Sequence, residues 1–295
     1  MNPRPIAICA LWFALLILCW PPVVTALNLG WNDDRYFQIV AAPFLVTFFM
    51  YWDRNCIFRG AAWSARVGVP LLAVTASTYL FLQRRPNDNG NVHLALTMAA
   101  VMLLAMSAFI LCYGLRSFQA ARFPLGCLLL MIPVPTSAMD QITAGLQHGS
   151  AAVSFHLLQM AGIPVVAHGM RMSLKGVEIE IAPECSGIRS CIALALIGLL
   201  AARVGLRYNW MRLALVVATI PIAIFKNAIR ISVLASLGAY VNPGFLHGRL
   251  HEYGGLVFTP LAIILLVALL AGLQKSEEWS RRAPVSANRV VTLRT

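Results

Sequence analysis

Charge is scarce in this 295-residue chain: Asp, Glu, Lys and Arg make up 12% of it, against 59% hydrophobic residues. With a mean hydropathy of +0.75, that balance excludes a soluble two-domain protein, in which about a quarter of the residues are charged. Acidic residues are scarcer still, 11 against 23 Lys and Arg, for a net charge of +12. In a soluble chain that excess would suggest nucleic acid. Here the cations fall between apolar segments, a pattern of membrane topology rather than of a polyanion site. Any Cys-x-x-Cys pair is also missing. The seven cysteines, Cys9, Cys19, Cys56, Cys112, Cys127, Cys185 and Cys191, are dispersed, mostly in or beside apolar runs. Neither a disulfide framework nor a zinc site is expected, and no cofactor or metal is assigned. No internal repeat is visible, and no paired broken helices in two halves, as a transporter would show.

What is present is a series of long apolar runs. Residues 6–27, 36–51, 61–82, 92–113, 117–134, 186–202, 211–236 and 251–273 each approach the length that crosses a bilayer. They predict an all-α polytopic integral membrane protein of about eight transmembrane helices. The first run has a rival reading as a cleavable signal peptide, because its apolar stretch gives way to Pro21, Pro22 and small residues; a retained span is expected, since it continues the same bundle. The loops sort by their Lys and Arg content. Arg4, Arg54, Arg59, Arg66, Arg116, Arg122, Arg203, Arg207, Arg212 and the cations from Lys275 to Arg294 form one set of 14. Arg35, Arg84, Arg85, Arg171, Lys175 and Arg249 form the other set of 6. The positive-inside rule makes the larger set cytoplasmic, with both termini, and puts segment 135–185 outside.

Within that outer segment, residues 136–161 carry Met139, Ile142, Leu146, Val153 and Leu157 with Asp140, Gln147 and His148 between them. The pattern suits an amphipathic helix at the outer interface. From Val165 to Ala182 short alternation takes over, with Gly169 and Gly176 as turn residues, which predicts a small extracytoplasmic β-hairpin or meander. The domain reading is one integral membrane unit over 1–273 and a cytoplasmic basic tail over 274–295, disordered from 276 onward.

The chemistry concentrates in A-P-E-C-S-G-I-R-S-C, residues 182–191. A thiol where a span begins sits among unpaired backbone N–H groups at the positive end of a helix dipole, which favours a thiolate at Cys185. Arg189, four residues on, falls on the same helical face. The competing reading is an ordinary packing cysteine. A second loaded stretch is I-F-K-N-A-I-R-I, residues 224–231. Lys226 and Arg230 are a like-charge i, i+4 pair inside a span, where each cation costs about 2.5–3.5 kcal/mol. Asn227 lies beside them. If the helix runs to Leu237, Arg230 is roughly 10 Å below the outer surface, too deep for easy snorkelling. His251 opens the last span on the outer side, with Gly254 and Gly255 for close helix approach and His247 as its rival. His93, His148, His156 and His168 read as interface or packing residues.

The order M-I-P-V-P (131–135), P-E-C-S-G-I-R-S (183–190), N-A-I-R-I (227–231) and H-E-Y-G-G (251–255) closely resembles the exosortase/archaeosortase family. The likeness covers about residues 120–273, and the first four spans match in hydropathy alone. It implies a cysteine transpeptidase in the bacterial inner membrane, its active site on the outer face, that processes carboxy-terminal sorting signals of the Pro-Glu-Pro type. Cys185 would be the nucleophile, Arg230 its electrostatic partner and His251 the third member. Glu184 and Arg189 also match the motif. Backbone N–H groups near Ser186 and Gly187 would help hold the oxyanion, and Asn227 would steady Arg230. The implied partners are the bilayer, membrane-anchored substrate proteins and an amine or glycan acceptor, with no nucleic acid. Two other classes stay open on the residues alone: a transporter holding an anion at Lys226, Arg230 and Arg189, and a non-catalytic assembly factor for exopolysaccharide export.

Overall fold

The computed structural model describes residues 3–85, 90–175, 177–181, 186–242, 244 and 249–282. The chain forms two compact units, Met1–Ile142 and Thr143–Thr295.

The first unit begins with α1 (Pro3–Leu18) and α2 (Trp20–Asn32), bent by 64° at Cys19. Pro21 and Pro22 explain the bend: a proline ring fits a first helical turn but obstructs the turn before it. A short 3-10 turn, Asp34–Tyr36, leads into α3 (Phe37–Trp52). Arg35 clamps this corner, bonding Asp33 at 2.8 Å and Asp140 at 2.9 Å. Burial pushes the Asp33 carboxyl up, but the hydrogen bonds and charge of Arg35 outweigh it, and the net shift is downward. Then follow α4 (Arg54–Ile57), α5 (Ala65–Gln83), α6 (Gly90–Ala120) and α7 (Arg122–Cys127), with a 3-10 turn over Leu128–Met131. Within α6, Gly114 breaks the helical path with φ 84° and ψ 169°, next to where the expected span 92–113 ends.

The second unit takes most of α8 (Thr136–Met160), then β1 (Val165–His168), β2 (Arg171–Leu174), β3 (Val177–Glu180), α9 (Ile188–Gly205), α10 (Asn209–Tyr240) and α11 (Arg249–Arg282). The strands form an antiparallel meander in the order β1-β2-β3, with Val165 opposite Leu174 and Arg171 opposite Glu180. Met172 and Leu174, two apart and so on one face of the sheet, are buried with Ala151 and Leu158 of α8 and Ile231 and Ala235 of α10. A second core joins α9, α10 and α11 through Leu194, Leu215, Ala223 and Leu266.

The all-α membrane architecture and the small meander agree with expectation; the count of eight spans is not confirmed, and the first residues of the expected tail are helical. Among the described residues, five helices are long and apolar enough to cross a bilayer, or up to seven if each bent pair counts once. The run 36–51 forms α3, whose 16 residues reach about 24 Å at 1.5 Å per residue, short of the roughly 30 Å of hydrocarbon. The run 117–134 is no single span. It is split among the end of α6, α7 and the 3-10 turn, and turns by 94° into α8. Ile132 is extended (φ −78°, ψ 118°) because it precedes Pro133, whose ring disfavours helix in the preceding residue. At the other end, α11 runs through residues 276–282, where a disordered tail was expected. Gln274 Nε2 donates to Gly205 O at 3.1 Å, and the buried Glu277 carboxylate accepts from Arg207 N at 3.0 Å and Tyr208 N at 2.9 Å. Those bonds tie the last turns of α11 to the connection between α9 and α10. Residues 283–295 lie outside the described residues.

Candidate active site

The site grows from one face of α10. At 100° per residue, Lys226, Asn227 and Arg230 project within a quadrant or so of one another, and all are buried, at 1%, 1% and 9% exposure. Arg230 lies further from the end of its helix than expected. Because α10 continues to Tyr240, ten residues separate Arg230 from the helix end, about 15 Å of rise.

Facing α10 is a stripe of α8 made of Thr143, Gln147, Ser150 and Ser154, all buried. Asn227 Nδ2 donates to Ser150 Oγ at 3.1 Å, Ser154 Oγ donates to Ala228 O at 3.0 Å, and Gln147 Nε2 donates to Ile181 O at 3.0 Å. The helix over 136–160 was expected, with its polar side at an interface. Its buried side instead carries Thr143, Gln147, Ser150 and Ser154 beside apolar Met139, Leu146, Ala151 and Leu158, while Ile142 is exposed. In lipid a polar group has no solvent partner, so polar side chains turn inward and bond across helices.

The third wall is the start of α9. Gly187 caps this helix in the left-handed conformation, φ 73° and ψ 18°. Its Cα is pressed so closely against α10 that an added Cβ would lie 2.9 Å from Asn227 Cγ and 3.0 Å from Oδ1. Only glycine meets both conditions without strain. Ser186 is buried, its Oγ accepting from Ile188 N at 3.4 Å. Ser190 Oγ donates to Gly187 O at 2.9 Å and accepts from Lys226 Nζ at 2.6 Å.

Of the residues singled out in the sequence, the structure brings Ser186, Gly187, Asn227 and Arg230 into this one region of the second unit. Cys185 and Glu184 lie outside the described residues, directly ahead of Ser186 in the chain. His247 lies outside them as well. His251 falls in the first turn of α11, and its side chain is outside what is described. The helix expected to start at Cys185 starts at Ile188, because Gly187 is left-handed; the four-residue helical spacing that stacked Arg189 over Cys185 does not run through that turn. Arg189 itself is exposed. Three participants were overlooked in the sequence: Ser150, Ser154 and Ser190. Their signal was legible in part, since Thr143, Gln147, Ser150 and Ser154 recur at four- and three-residue spacing in an otherwise apolar chain.

The protein-family model described as transmembrane exosortase matches residues 31–268. That range takes in most of the first unit, beyond the part where the motifs lie. No curated protein and no solved structure matches the chain.

Proposed function

Because this chain belongs to the transmembrane exosortase family, over residues 31–268, we propose that it is a membrane-embedded cysteine peptidase or transpeptidase acting on carboxy-terminal sorting signals of exported proteins. Its substrates carry a Pro-Glu-Pro type signal followed by an apolar span and a basic tail, and they reach the enzyme by diffusion in the membrane plane. The observation that carries this reading is the contact of Gly187 with Asn227. The turn two residues beyond Cys185 rests on the α10 face that carries buried Arg230.

In this reading the Cys185 thiolate attacks the carbonyl carbon of the scissile peptide bond, forming an S–C bond and a tetrahedral oxyanion. The Arg230 guanidinium and backbone N–H groups around Ser186 and Gly187 stabilise that charge. Donors held in a buried setting act strongly on such a charge, and Arg230 is 9% exposed. The C–N bond then breaks as His251, an imidazolium after taking the proton of the Cys185 thiol, returns that proton to the leaving amine. The thioester left on Cys185 is released by an amine, a glycan hydroxyl or water. The cations around α9–α11, with Arg203, Arg207, Arg212 and the tail on one side against Arg171, Lys175 and Arg249 on the other, support an active site on the outer face of the bacterial inner membrane.

The test is to trap the thioester. Purified protein in lipid nanodiscs, mixed with a membrane-anchored reporter bearing such a signal, should yield a hydroxylamine-sensitive adduct of the reporter's amino-terminal fragment on Cys185. Continued cleavage by Cys185→Ala, with no adduct on the wild-type thiol, would overturn the proposal.

A further inference from the structure

The reaction above gives no part to Lys226, although this cation is only 1% exposed and inside a helix long and apolar enough to span. Its ammonium donates to Ser190 Oγ at 2.6 Å, and Ser190 Oγ donates on to Gly187 O at 2.9 Å. A hydroxyl has one proton. With that proton directed at Gly187 O, only the oxygen's lone pairs face the ammonium, and Lys226 is the side chain that supplies a donor to them. The two bonds therefore run in one direction, from α10 into the turn ahead of α9, and each polarises the other. Gly187 O also accepts the first helical bond of α9, from Cys191 N at 2.9 Å. The carbonyl at the end of this relay thus belongs to the left-handed residue that separates Cys185 from α9, the residue already pressed against Asn227.

We propose that Lys226 is a positioning residue for the proposed reaction: acting through Ser190, it fixes the turn at Ser186–Gly187 against the α10 face that carries Asn227 and Arg230. The inference rests on the reading of Cys185 as nucleophile. A cation that only supported the fold would be a poor choice at this depth, since an apolar side chain of equal length inserts into lipid at lower cost. Its removal should therefore lower activity without lowering stability.

The experiment uses the full-length protein in nanodiscs and the reporter described above. Lys226→Met, Ser190→Ala and the double variant are compared with wild type and with Cys185→Ala. Each single variant should lower kcat about 10- to 100-fold, the scale of a displacement near 1 Å, with KM unchanged. The double variant should be no slower than the worse single one, within about threefold, because both changes cut one relay. The melting temperature of Lys226→Met should equal or exceed that of wild type. Ser190→Ala removes a single hydroxyl and keeps the test open if Lys226→Met folds poorly. Wild-type kcat in Ser190→Ala, losses that multiply in the double variant, or a loss confined to KM would each overturn the assignment. Full activity of Cys185→Ala would instead remove the nucleophile on which it rests, a failure read from a different variant.

Discussion

Gly187 and Asn227 approach so closely that a Cβ on the glycine would stand 2.9 Å from the asparagine Cγ. The contact joins the turn after Cys185 to the helix of Lys226 and Arg230. It makes the geometry of the site sensitive to a single methyl group.

Gly187→Ala meets two obstacles, the left-handed backbone at φ 73° and the Asn227 side chain. The first alone costs about 1–2 kcal/mol. The variant should therefore melt lower than wild type and process its reporter poorly. Adding Asn227→Ala should recover the steric part and leave the backbone part, so the double variant should melt between Gly187→Ala and Asn227→Ala. Wild-type melting of Gly187→Ala in a thermal-shift assay would contradict the close approach.

Arg230→Lys separates charge from geometry. Lysine keeps the cation but lacks the planar fork that binds an oxyanion through two donors. With expression matched by immunoblot, turnover should fall on the order of 10²–10³-fold, the scale of losing one oxyanion donor. Turnover near wild type would remove Arg230 from that role.

Substituting the cysteines one at a time distinguishes a nucleophile from packing. Cys185→Ala should abolish processing, whereas Cys127→Ala and Cys191→Ala should retain most of it, since Cys127 is buried and Cys191 packs against the α9–α11 core. Similar losses in all three would identify a packing effect.

Topology is checked by reporter fusions chosen to respect the helices. α11 extends to Arg282, so a fusion there leaves the helix whole. It should report the cytoplasmic side, while an insertion after Lys175, in the turn between β2 and β3, should report the outer side. The same side for both would break the assignment drawn from the loop cations.

The Arg35 corner should show in acid. The folded-state pKa of Asp33 is depressed, so its contribution to stability is present above the unfolded value, about 3.9, and is lost as pH falls through the folded one. The melting-temperature difference between wild type and Asp33→Asn should shrink as pH is lowered from about 5 to 2. The effect should be small, because both partners are partly solvent-exposed. A difference that widens in acid would reverse the sign and refute the pairing.

Much was legible in the sequence because lipid leaves the backbone few options. A segment in hydrocarbon must satisfy its own N–H and C=O groups, so apolar runs of sufficient length announce helices, and Lys226, Asn227 and Arg230 stand out against them. The alternation and turn residues of 165–180 announced the meander in the same way, through local chemistry. Tertiary structure decided what depends on partners distant in the chain. The polar stripe of α8 turns inward because Asn227 and the Ala228 carbonyl await it, and no local pattern distinguishes an inward polar face from a wet one. The last turns of α11 stay helical because Gln274 and Glu277 meet the backbone of residues 205–208. And α9 starts at Ile188 rather than Cys185 because Gly187 adopts a left-handed turn against a side chain forty residues away, a contact that exists only once α9 and α10 have packed.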